Sequence, residues 1–277
     1  MTTSETISIL GCGWLGFPLA KQLLTKGYLV KGSTTRQERL AELEAAGVQA
    51  FVVKSNNGVW EASRLIEFLT CDILVIAIPP GTKKNPDSPH ALEIKQLMKC
   101  IQEQSNTIQK VIYISSTSVY KNSNTQVVET EIRNIEDAEN KVLAEAESYI
   151  QNCVIKDRII LRMGGLTGYD RMLARFFAGK TELQGWNEPV NLVHRDDATG
   201  SILYVIEKNI KSDVFNICAP EHPSRKDFYT ALCAKLNLPQ PQFNTNAFAD
   251  WKEVSSEKIS QLGYVWKYPN PFEFTYA

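Results

Sequence analysis

The chain has 277 residues, of which 43% are hydrophobic and 22% are charged, with a formal net charge of -1. This length suits one large domain or two small ones, and the balanced charge gives no electrostatic reason to expect nucleic acid or a membrane as a partner. No apolar run reaches the roughly 18 residues that cross a bilayer, and residues 1–6 lack a signal-peptide pattern, so we expect a cytoplasmic protein. The six cysteines are far apart, which predicts reduced thiols and no metal site.

The first predicted element is a strand that ends in a glycine-rich turn. Residues 7–16 read ISILGCGWLG, with glycines at the G-x-G-x-x-G spacing of a dinucleotide-binding turn. In that spacing the first glycine permits a tight turn, the second lets the backbone approach a pyrophosphate, and the third allows helix and strand to pack closely. A turn without a ligand is the alternative, but we predict that this one binds NAD or NADP at a helix N-terminus. The predicted contacts in the turn are Gly11, Cys12, Gly13, Trp14, Leu15 and Gly16.

After the first helix, strand-like and helix-like segments alternate to about residue 160. Strands are predicted at residues 28–30, 51–53, 71–80 (CDILVIAIPP), 110–115 (KVIYIS) and 157–162 (DRIILR). CDILVIAIPP is almost wholly apolar, which is typical of a strand buried on both faces of a parallel sheet. A charged helix is predicted at about residues 137–151. The alternation predicts an α/β fold built on a doubly wound parallel Rossmann sheet.

The character of the chain changes beyond Gly164. Segments become shorter, and Gly, Asn, Trp and Pro become more frequent. We therefore predict a Rossmann domain at residues 1–164 and a smaller substrate-binding lid at residues 165–277. One stretch of the lid, at about residues 191–217, is expected to return to the Rossmann sheet.

The end of the second predicted strand bears on which dinucleotide is bound. NAD-preferring sites place Asp or Glu there to bind the ribose hydroxyls, whereas this chain reads GSTTR at residues 32–36. Hydroxyls and a guanidinium can donate to a 2′-phosphate, and no carboxylate repels it, which favours NADP over NAD. The alternative is that Arg36 is only solvated at a helix start. The remaining predicted cofactor contacts are Ser33, Thr34, Thr35, Arg36, Ile78, Pro79, Pro80, Ser115 and Lys141.

Several segments carry a resemblance to a known family. They are GCGWLG, ISSTSVY at 114–120, LRMGGLTG at 161–168, NLVHRDDATG at 191–200 and FNICAP at 215–220. Together they resemble the extended short-chain dehydrogenases/reductases, which include the NAD(P)-dependent sugar-nucleotide epimerases and dehydratases. FFAGKT and VNLVHRDDATG look most like the bacterial YeeZ-like subgroup. The resemblance implies a nicotinamide cofactor and leaves the substrate open.

The family's catalytic residues match this chain only in part. The resemblance implies a Ser or Thr that binds the reacting oxygen, a Tyr acid/base and a Lys four residues later that lowers the Tyr pKa and holds the nicotinamide ribose. Ser116 occupies the serine position and Lys141 is the best candidate for the lysine, but Asp137 stands four residues before it. An ionised carboxylate cannot donate a proton as a phenol does, and on a helix Asp137 and Lys141 would form an ion pair. Tyr120 is the alternative acid/base, because it follows a strand end and could reach a pocket, whereas Tyr113 is expected in the core.

Two further segments allow more than one interpretation. His194 and Asp197 suit proton transfer, but the resemblance implies that the HRDDA aspartates cap a helix at residues 198–207. Trp186, Arg171 and Arg175 could line a pocket or be a buried ring and two solvated arginines.

The sequence thus predicts an NADP(H)-binding protein that is an oxidoreductase, or a sugar-nucleotide epimerase or dehydratase, acting on a small polar substrate. The alternative is a regulatory protein that senses NADP(H) without turnover, since Asp137 replaces the catalytic Tyr. The resemblance also implies a homodimer through the helices near residues 90–104 and 137–151.

Overall fold

The structure is a computed structural model that describes residues 5–61, 64–82, 85–103 and 107–276. Its strands are β1 (Thr6–Leu10), β2 (Leu29–Thr34), β3 (Gln49–Val52), β4 (Lys54–Asn56), β5 (Val59–Glu61), β6 (Ile73–Ile76), β7 (Lys110–Ser116), β8 (Thr125–Val127), β9 (Asp157–Met163), β10 (Gly165–Thr167), β11 (Leu192–His194), β12 (Asp213–Ile217) and β13 (Lys252–Val254). Its α-helices are α1 (Gly16–Thr25), α2 (Leu40–Ala45), α3 (Leu65–Leu69), α4 (His90–Gln102), α5 (Lys141–Gln151), α6 (Arg195–Glu207), α7 (Arg225–Lys235) and α8 (Glu257–Gln261).

A seven-stranded sheet forms the centre of the molecule, in the order β12-β9-β7-β6-β1-β2-β3. Every neighbouring pair in it is parallel, which confirms the predicted doubly wound α/β fold. The strand order reverses between β1 and β6, and ligands of such sheets bind in the crevice outside the carboxyl ends at this point. The glycine turn after β1 and residues 77–80 after β6 therefore lie side by side.

Helices cover both faces of the sheet with apolar side chains. On one face α1 and α6 contribute buried residues such as Leu19 and Ile202, and on the other α4 and α5 contribute Ile94 and Ile150. Each such side chain stabilises the fold by about 1.5–3 kcal/mol relative to an exposed one. The helices α4 and α5 also pack against each other on this face of the sheet. A homodimer through these two helices stays a prediction.

The residues after β9 both extend the sheet and form a smaller unit beside it. Within the stretch 191–217, β12 pairs with β9 at the sheet edge, whereas β11 pairs with β10 outside the sheet. This part also includes β13, which pairs in parallel with β8 from the segment before β9, and a separate apolar cluster around α7. An antiparallel hairpin of β4 and β5 was not predicted, although its Asn57-Gly58 turn, with φ of 49° and 85°, is a strong hairpin signal.

Within the described residues no helix has the length and apolar character required to traverse a bilayer. In the same part of the chain, His, Cys, Asp and Glu side chains form no group of three suited to a metal ion.

Candidate functional site

The three glycines of the turn have three different surroundings. Gly11 has a φ of +103°, and a Cβ on it would lie 3.0 Å from the carbonyl oxygen of Ala77. A Cβ on Gly16 would lie 2.2 Å from the carbonyl oxygen of Gly11, so the helix can start this close to the strand only with glycine there. Around Gly13, by contrast, no atom of the described residues beyond its two chain neighbours lies within 4 Å of such a Cβ. The turn is therefore closed against the protein at two glycines and open at the third.

Cys12 is a small core residue inside this turn. Its side chain is buried, and its N–H donates to the Ser33 carbonyl at 2.8 Å. Burial raises the pKa of the Cys12 thiol to about 12, so the thiol stays protonated at neutral pH and is a poor nucleophile. The Cys12 sulfur therefore belongs to the core, and a contact of this residue with a cofactor stays a prediction.

The hydroxyls at the end of β2 are used by the protein itself. The Ser33 Oγ is buried and accepts a hydrogen bond from the Gly11 N–H at 2.9 Å. We expected this hydroxyl to face a phosphate, but it stabilises the glycine turn instead. The Thr34 Oγ1 accepts from the Arg36 N–H at 3.2 Å. Thr35 and Arg36 are exposed, and the Arg36 guanidinium lies 3.9 Å from Glu38.

Arg39 is a residue of this edge that the sequence analysis missed. Its Nη1 donates to the carbonyl oxygen of Cys12 at 3.0 Å and its Nε donates to Glu42 at 2.9 Å. Only 19% of its side chain is exposed. Its place three residues after Arg36 was the available signal, since Arg36 precedes and Arg39 ends one short 3₁₀ turn (Gln37–Arg39). A second cation therefore stands beside the glycine turn.

The segment after β6 forms the other wall of the crevice. The Ile78 side chain lies 3.2 Å from the Cβ position of Gly11. Pro79 is exposed, and the carbonyl oxygen of Pro80 accepts from the Ser88 Oγ at 2.5 Å. Two residues further on, Thr82 accepts a hydrogen bond from the Asn140 side chain at 3.0 Å. This wall is thereby joined to the start of α5.

Ser115 and Ser116 lie next to each other in β7 but face opposite sides. The Ser116 Oγ accepts from the Ser118 N–H at 3.1 Å, and a hydroxyl that accepts one bond still has its own proton to donate. Ser115, by contrast, is buried and donates to Glu147 at 2.6 Å. The predicted contact of Ser115 with the cofactor cannot use its hydroxyl, because successive strand residues point to opposite faces and this one points into the core.

Tyr120 does not reach a pocket, contrary to expectation. It is 1% exposed, its hydroxyl donates to Asn216 Oδ1 at 2.7 Å, and it accepts from Arg162 Nη1 at 2.7 Å. Burial raises the pKa of Tyr120 to about 12. Arg162 also binds both carboxylate oxygens of Glu147, the shortest contact being 2.7 Å. Ser115, Tyr120, Glu147, Arg162 and Asn216 thus form a buried polar cluster that the sequence analysis missed.

Tyr113 lies in the core, as predicted. It is fully buried, and its hydroxyl lies 2.7 Å from the Nε2 of His90, which is also buried. Burial lowers the pKa of His90 to about 4, so this pair is neutral at physiological pH. Neither ring is available to a ligand in the crevice.

The predicted ion pair between Asp137 and Lys141 is wrong. Residues 135–137 form a separate 3₁₀ turn, where the Asp137 carboxylate accepts from the N–H groups of Arg133 and Asn134 at 3.0 and 3.1 Å. The helix begins only at Lys141, after the Asn140 cap, and the Lys141 ammonium bonds Glu136 at 3.0 Å. Asp137 also lines a cavity of about 610 Å³ next to Glu147 and Arg162, and no residue of the glycine turn lines that cavity.

His194 and Asp197 have structural partners. The prediction that the aspartates cap the helix is wrong in detail, because His194 is the N-cap of α6 and its Nδ1 accepts from the Asp196 N–H at 3.2 Å. Asp197 instead accepts from the N–H groups of Lys267 and Tyr268 at 2.8 and 2.9 Å. Burial lowers the pKa of His194, so the ring is neutral and serves as an acceptor. Both residues therefore anchor the C-terminal segment.

A group of aromatic and charged residues joins the glycine turn to the C-terminal part. The Trp14 indole N–H donates to Asp170 at 2.8 Å, and the guanidiniums of Arg171 and Arg195 lie 5.2 and 5.0 Å from the Trp14 ring centre. Arg195 also lies 3.8 Å from the ring centre of Tyr169. We call Trp14, Tyr169, Asp170, Arg171 and Arg195 the Trp14 cluster. Arg171, predicted as either a pocket residue or a solvated arginine, is exposed and lies against the Trp14 ring.

The other two candidate pocket residues, Trp186 and Arg175, do not belong to the Trp14 cluster. Trp186 lies 6.1 Å from the Phe248 ring, and its indole N–H has no hydrogen-bond partner among the described residues. Arg175 is exposed on a 3₁₀ turn.

Comparisons with known proteins agree with this fold. No family model matches the chain. A structure of a proposed NAD-dependent epimerase/dehydratase from Methylobacillus flagellatus has a TM-score of 0.78 at 23% identity, covering 97% of this chain and 95% of that one. The UDP-glucuronic acid 4-epimerase of Bacillus cereus, in complex with UDP-glucuronic acid and NAD, has a TM-score of 0.73 at 18% identity, covering 97% of each chain.

In sequence, the chain is similar to the Escherichia coli (strain K12) protein YeeZ. The two are 34% identical over 270 residues, which cover 96% of this chain and 97% of YeeZ. The same identity and coverage hold for YeeZ of Escherichia coli O157:H7. At this identity over nearly the full length of both proteins, the chain belongs to the YeeZ family.

Proposed function

We propose that this chain binds NADP(H) in the crevice beside the glycine turn and acts there as an oxidoreductase or epimerase/dehydratase on a small polar substrate such as a nucleotide sugar. The observation that carries the proposal is the open approach to Gly13 at the point where the strand order reverses. A pyrophosphate at Gly13 would meet the unsatisfied N–H groups and the positive end of α1. The similar B. cereus epimerase was solved with UDP-glucuronic acid and NAD, which supports this ligand class.

The preference for NADP rests on the edge formed by β2 and the turn after it. Thr34 stands where a carboxylate would bind the ribose of NAD, and the exposed Arg36 guanidinium lies 3.9 Å from Glu38. Arg39 adds a second guanidinium close to the Cys12 carbonyl. Two guanidiniums favour a ligand with an extra phosphate, since they can donate paired hydrogen bonds to it.

A bound nicotinamide would supply hydride transfer, and the chain's own residues would position the reacting groups. We assign Ser116 to the reacting oxygen, because its hydroxyl proton is available at the carboxyl end of β7. Lys141 is the proposed ribose contact, and its ammonium would have to leave Glu136 to serve there. We assign no proton transfer to Asp137, whose carboxylate accepts two backbone N–H groups. Tyr120 leaves the proposed catalytic set because it is buried.

The same observations favour a second candidate, a dinucleotide-binding protein that senses NADP(H) without turnover. Tyr113 and Tyr120, which lie on and just after β7, are both buried and hydrogen-bonded within the protein. These are the two tyrosines nearest to Ser116 in sequence, and neither offers its phenol to the crevice. Incubation of the protein with NADP⁺ and a panel of nucleotide sugars separates the two candidates when both the absorbance of reduced nicotinamide and the chromatography of the sugar products are followed. A net oxidation accumulates NADPH, whereas an epimerase or dehydratase returns the hydride within each turnover and is seen only in the sugar products.

Titration calorimetry with NADPH and NADH tests the binding proposal. We expect NADPH to bind at least tenfold more tightly, a difference of about 1.4 kcal/mol, and Arg36→Glu to remove that preference. Gly13→Val is expected to abolish binding of both without unfolding the protein, because the protein leaves open space at that Cβ. Gly13→Ala is the control for Gly13→Val, because it adds a smaller side chain at the same position. Retained affinity in a folded Gly13→Val variant would show that the dinucleotide does not lie on this turn.

A further inference from the structure

The Trp14 cluster holds two cations at the open side of the glycine turn. Trp14 directly follows Gly13, and its ring contacts the guanidiniums of Arg171 and Arg195, which come from two different segments. Its indole N–H is fixed by Asp170 at 2.8 Å. The ring is therefore held in one place, and both guanidiniums are held with it.

Neither guanidinium has a counterion within the described part of the chain. The carboxylate nearest in sequence to Arg195 is Asp196, and it is already occupied. Its Oδ2 lies 2.6 Å from the Lys267 ammonium, and its Oδ1 accepts from the Tyr169 hydroxyl at 2.8 Å. Arg195 is half-buried over the Tyr169 ring. The one carboxylate of the Trp14 cluster, Asp170, accepts from the Trp14 indole N–H. A cation–π contact is attractive but does not neutralise the charge, so the two guanidiniums leave the cluster with a net positive charge that suits an anion.

The backbone under Arg195 is held in an unfavourable conformation. Tyr169 has a φ of +55°, in the left-handed region, which costs a residue other than glycine on the order of 1–3 kcal/mol. Its N–H donates to the Thr275 carbonyl at 3.0 Å, and its hydroxyl is fixed by Asp196. The surrounding structure thus imposes a conformation that places the Tyr169 ring against Arg195, and such strain is concentrated at ligand sites.

We propose that Arg195 and Arg171 bind the two phosphates of a diphosphate group that lies on the glycine turn, with Trp14 and Tyr169 holding the guanidiniums in position. The planar guanidinium matches a phosphate with two parallel hydrogen bonds, and two guanidiniums balance the charge of one diphosphate diester. The proposal rests on the proposed dinucleotide site and deepens it. The diphosphate belongs either to the dinucleotide or to a nucleotide-sugar substrate, and the two sources share this chemistry.

Calorimetric titrations of Arg195→Gln and Arg171→Gln test the assignment, with NADPH, UDP, inorganic pyrophosphate and adenosine as probes. Arg175→Gln is the matched control, because Arg175 is exposed as Arg171 is and lies in the same part of the chain, but it is outside the Trp14 cluster. We expect each of the two test variants to bind a diphosphate-bearing probe at least tenfold more weakly, with adenosine binding and the control unchanged. Thermal unfolding without ligand shows whether each variant is folded. Arg195→Lys keeps the positive charge but removes the paired N–H donors of the guanidinium, so we expect an intermediate loss of affinity for the diphosphate-bearing probe.

The outcomes separate the possible sources of the diphosphate. A loss for NADPH alone assigns it to the dinucleotide, and a loss for UDP alone assigns it to the substrate; either supports the proposal. Unchanged affinity for NADPH, UDP and pyrophosphate overturns it, as does an equal loss for adenosine, which would mean that the arginines only maintain the fold. If the unaltered protein binds UDP or pyrophosphate but no dinucleotide, the proposed function fails while the arginine assignment is still decided by the remaining probes. A protein that binds no probe overturns both.

Discussion

Glu147→Gln removes one charge from the interior while keeping the shape of the side chain. In the folded protein, the Glu147 carboxylate accepts from Arg162 Nε at 3.1 Å and from Nη2 at 2.7 Å, and it also accepts from Ser115 at 2.6 Å. The side chains of the ion pair are 1% and 3% exposed. The amide of glutamine would turn N–H donors towards a guanidinium that has only donors of its own. Arg162 would then keep its charge in the interior with its counterion removed.

The cost of this change follows from burial. Removing one partner of a buried ion pair costs about 3–5 kcal/mol, since the other charge is left desolvated. A domain of this kind has about 5–15 kcal/mol of total stability, so the loss is a large share of it. The other contacts of Arg162, to the Tyr120 hydroxyl and to the Glu129 carbonyl, compensate only in part because both are neutral groups.

Urea unfolding followed by circular dichroism measures the effect. We expect Glu147→Gln to lower the free energy of unfolding by about 3 kcal/mol or more. The matched control is Glu136→Gln, which breaks the exposed pair with Lys141 and should change stability by about 0.5 kcal/mol or less. A loss below about 1 kcal/mol for Glu147→Gln, with an unchanged slope against urea, would refute the reasoning that this pair is desolvated.

Two further predictions concern single side chains. Asp137→Asn should leave any turnover within a few-fold and cost little stability, because an amide oxygen can still accept from Arg133 and Asn134; a hundredfold loss of rate in steady-state assays would return Asp137 to the catalytic set. His90 should make the fold acid-sensitive, since burial lowers its pKa to about 4 whereas the unfolded value is about 6.5. The unfolded chain binds more protons between these values, so stability should fall by up to roughly 1.4 kcal/mol per pH unit as the pH drops through this window. Urea titrations at several pH values should show a flatter profile for His90→Gln, and parallel profiles would contradict the assignment.

The elements that the sequence predicted best are those whose signal is local. The apolar run that forms β6 and the spacing of Gly11, Gly13 and Gly16 each specify a backbone conformation within a few residues. The parallel sheet and the position of the glycine turn at its carboxyl edge follow from these signals together with the alternation of strands and helices. The contacts of Arg39 and Arg195 with the glycine turn were not predicted, because tertiary packing brings these residues to it.

Two predictions for the candidate site depended on details that the sequence pattern does not fix: which face of a strand a residue lies on, and where a helix begins. Ser115 and Ser116 differ by one position in β7, and a strand turns neighbours to opposite faces, so only one of them can face the crevice. Asp137 and Lys141 would be helical neighbours only if the helix started before both. The Asn140 cap starts it at Lys141 instead, which leaves Asp137 in a separate turn.

The buried polar cluster is the part that sequence reasoning could have found. Glu147 lies four residues after Leu143 and three before Ile150, on the apolar face of α5, and Arg162 lies within the apolar strand β9. A charge on a buried helix face and a charge in a strand covered on both sides each need a partner of opposite sign. Pairing them would have predicted an ion pair between α5 and β9, next to the end of β7. Because that pair needs polar neighbours in the interior, it also explains why Tyr120 turns inward and is unavailable as an acid/base in the crevice.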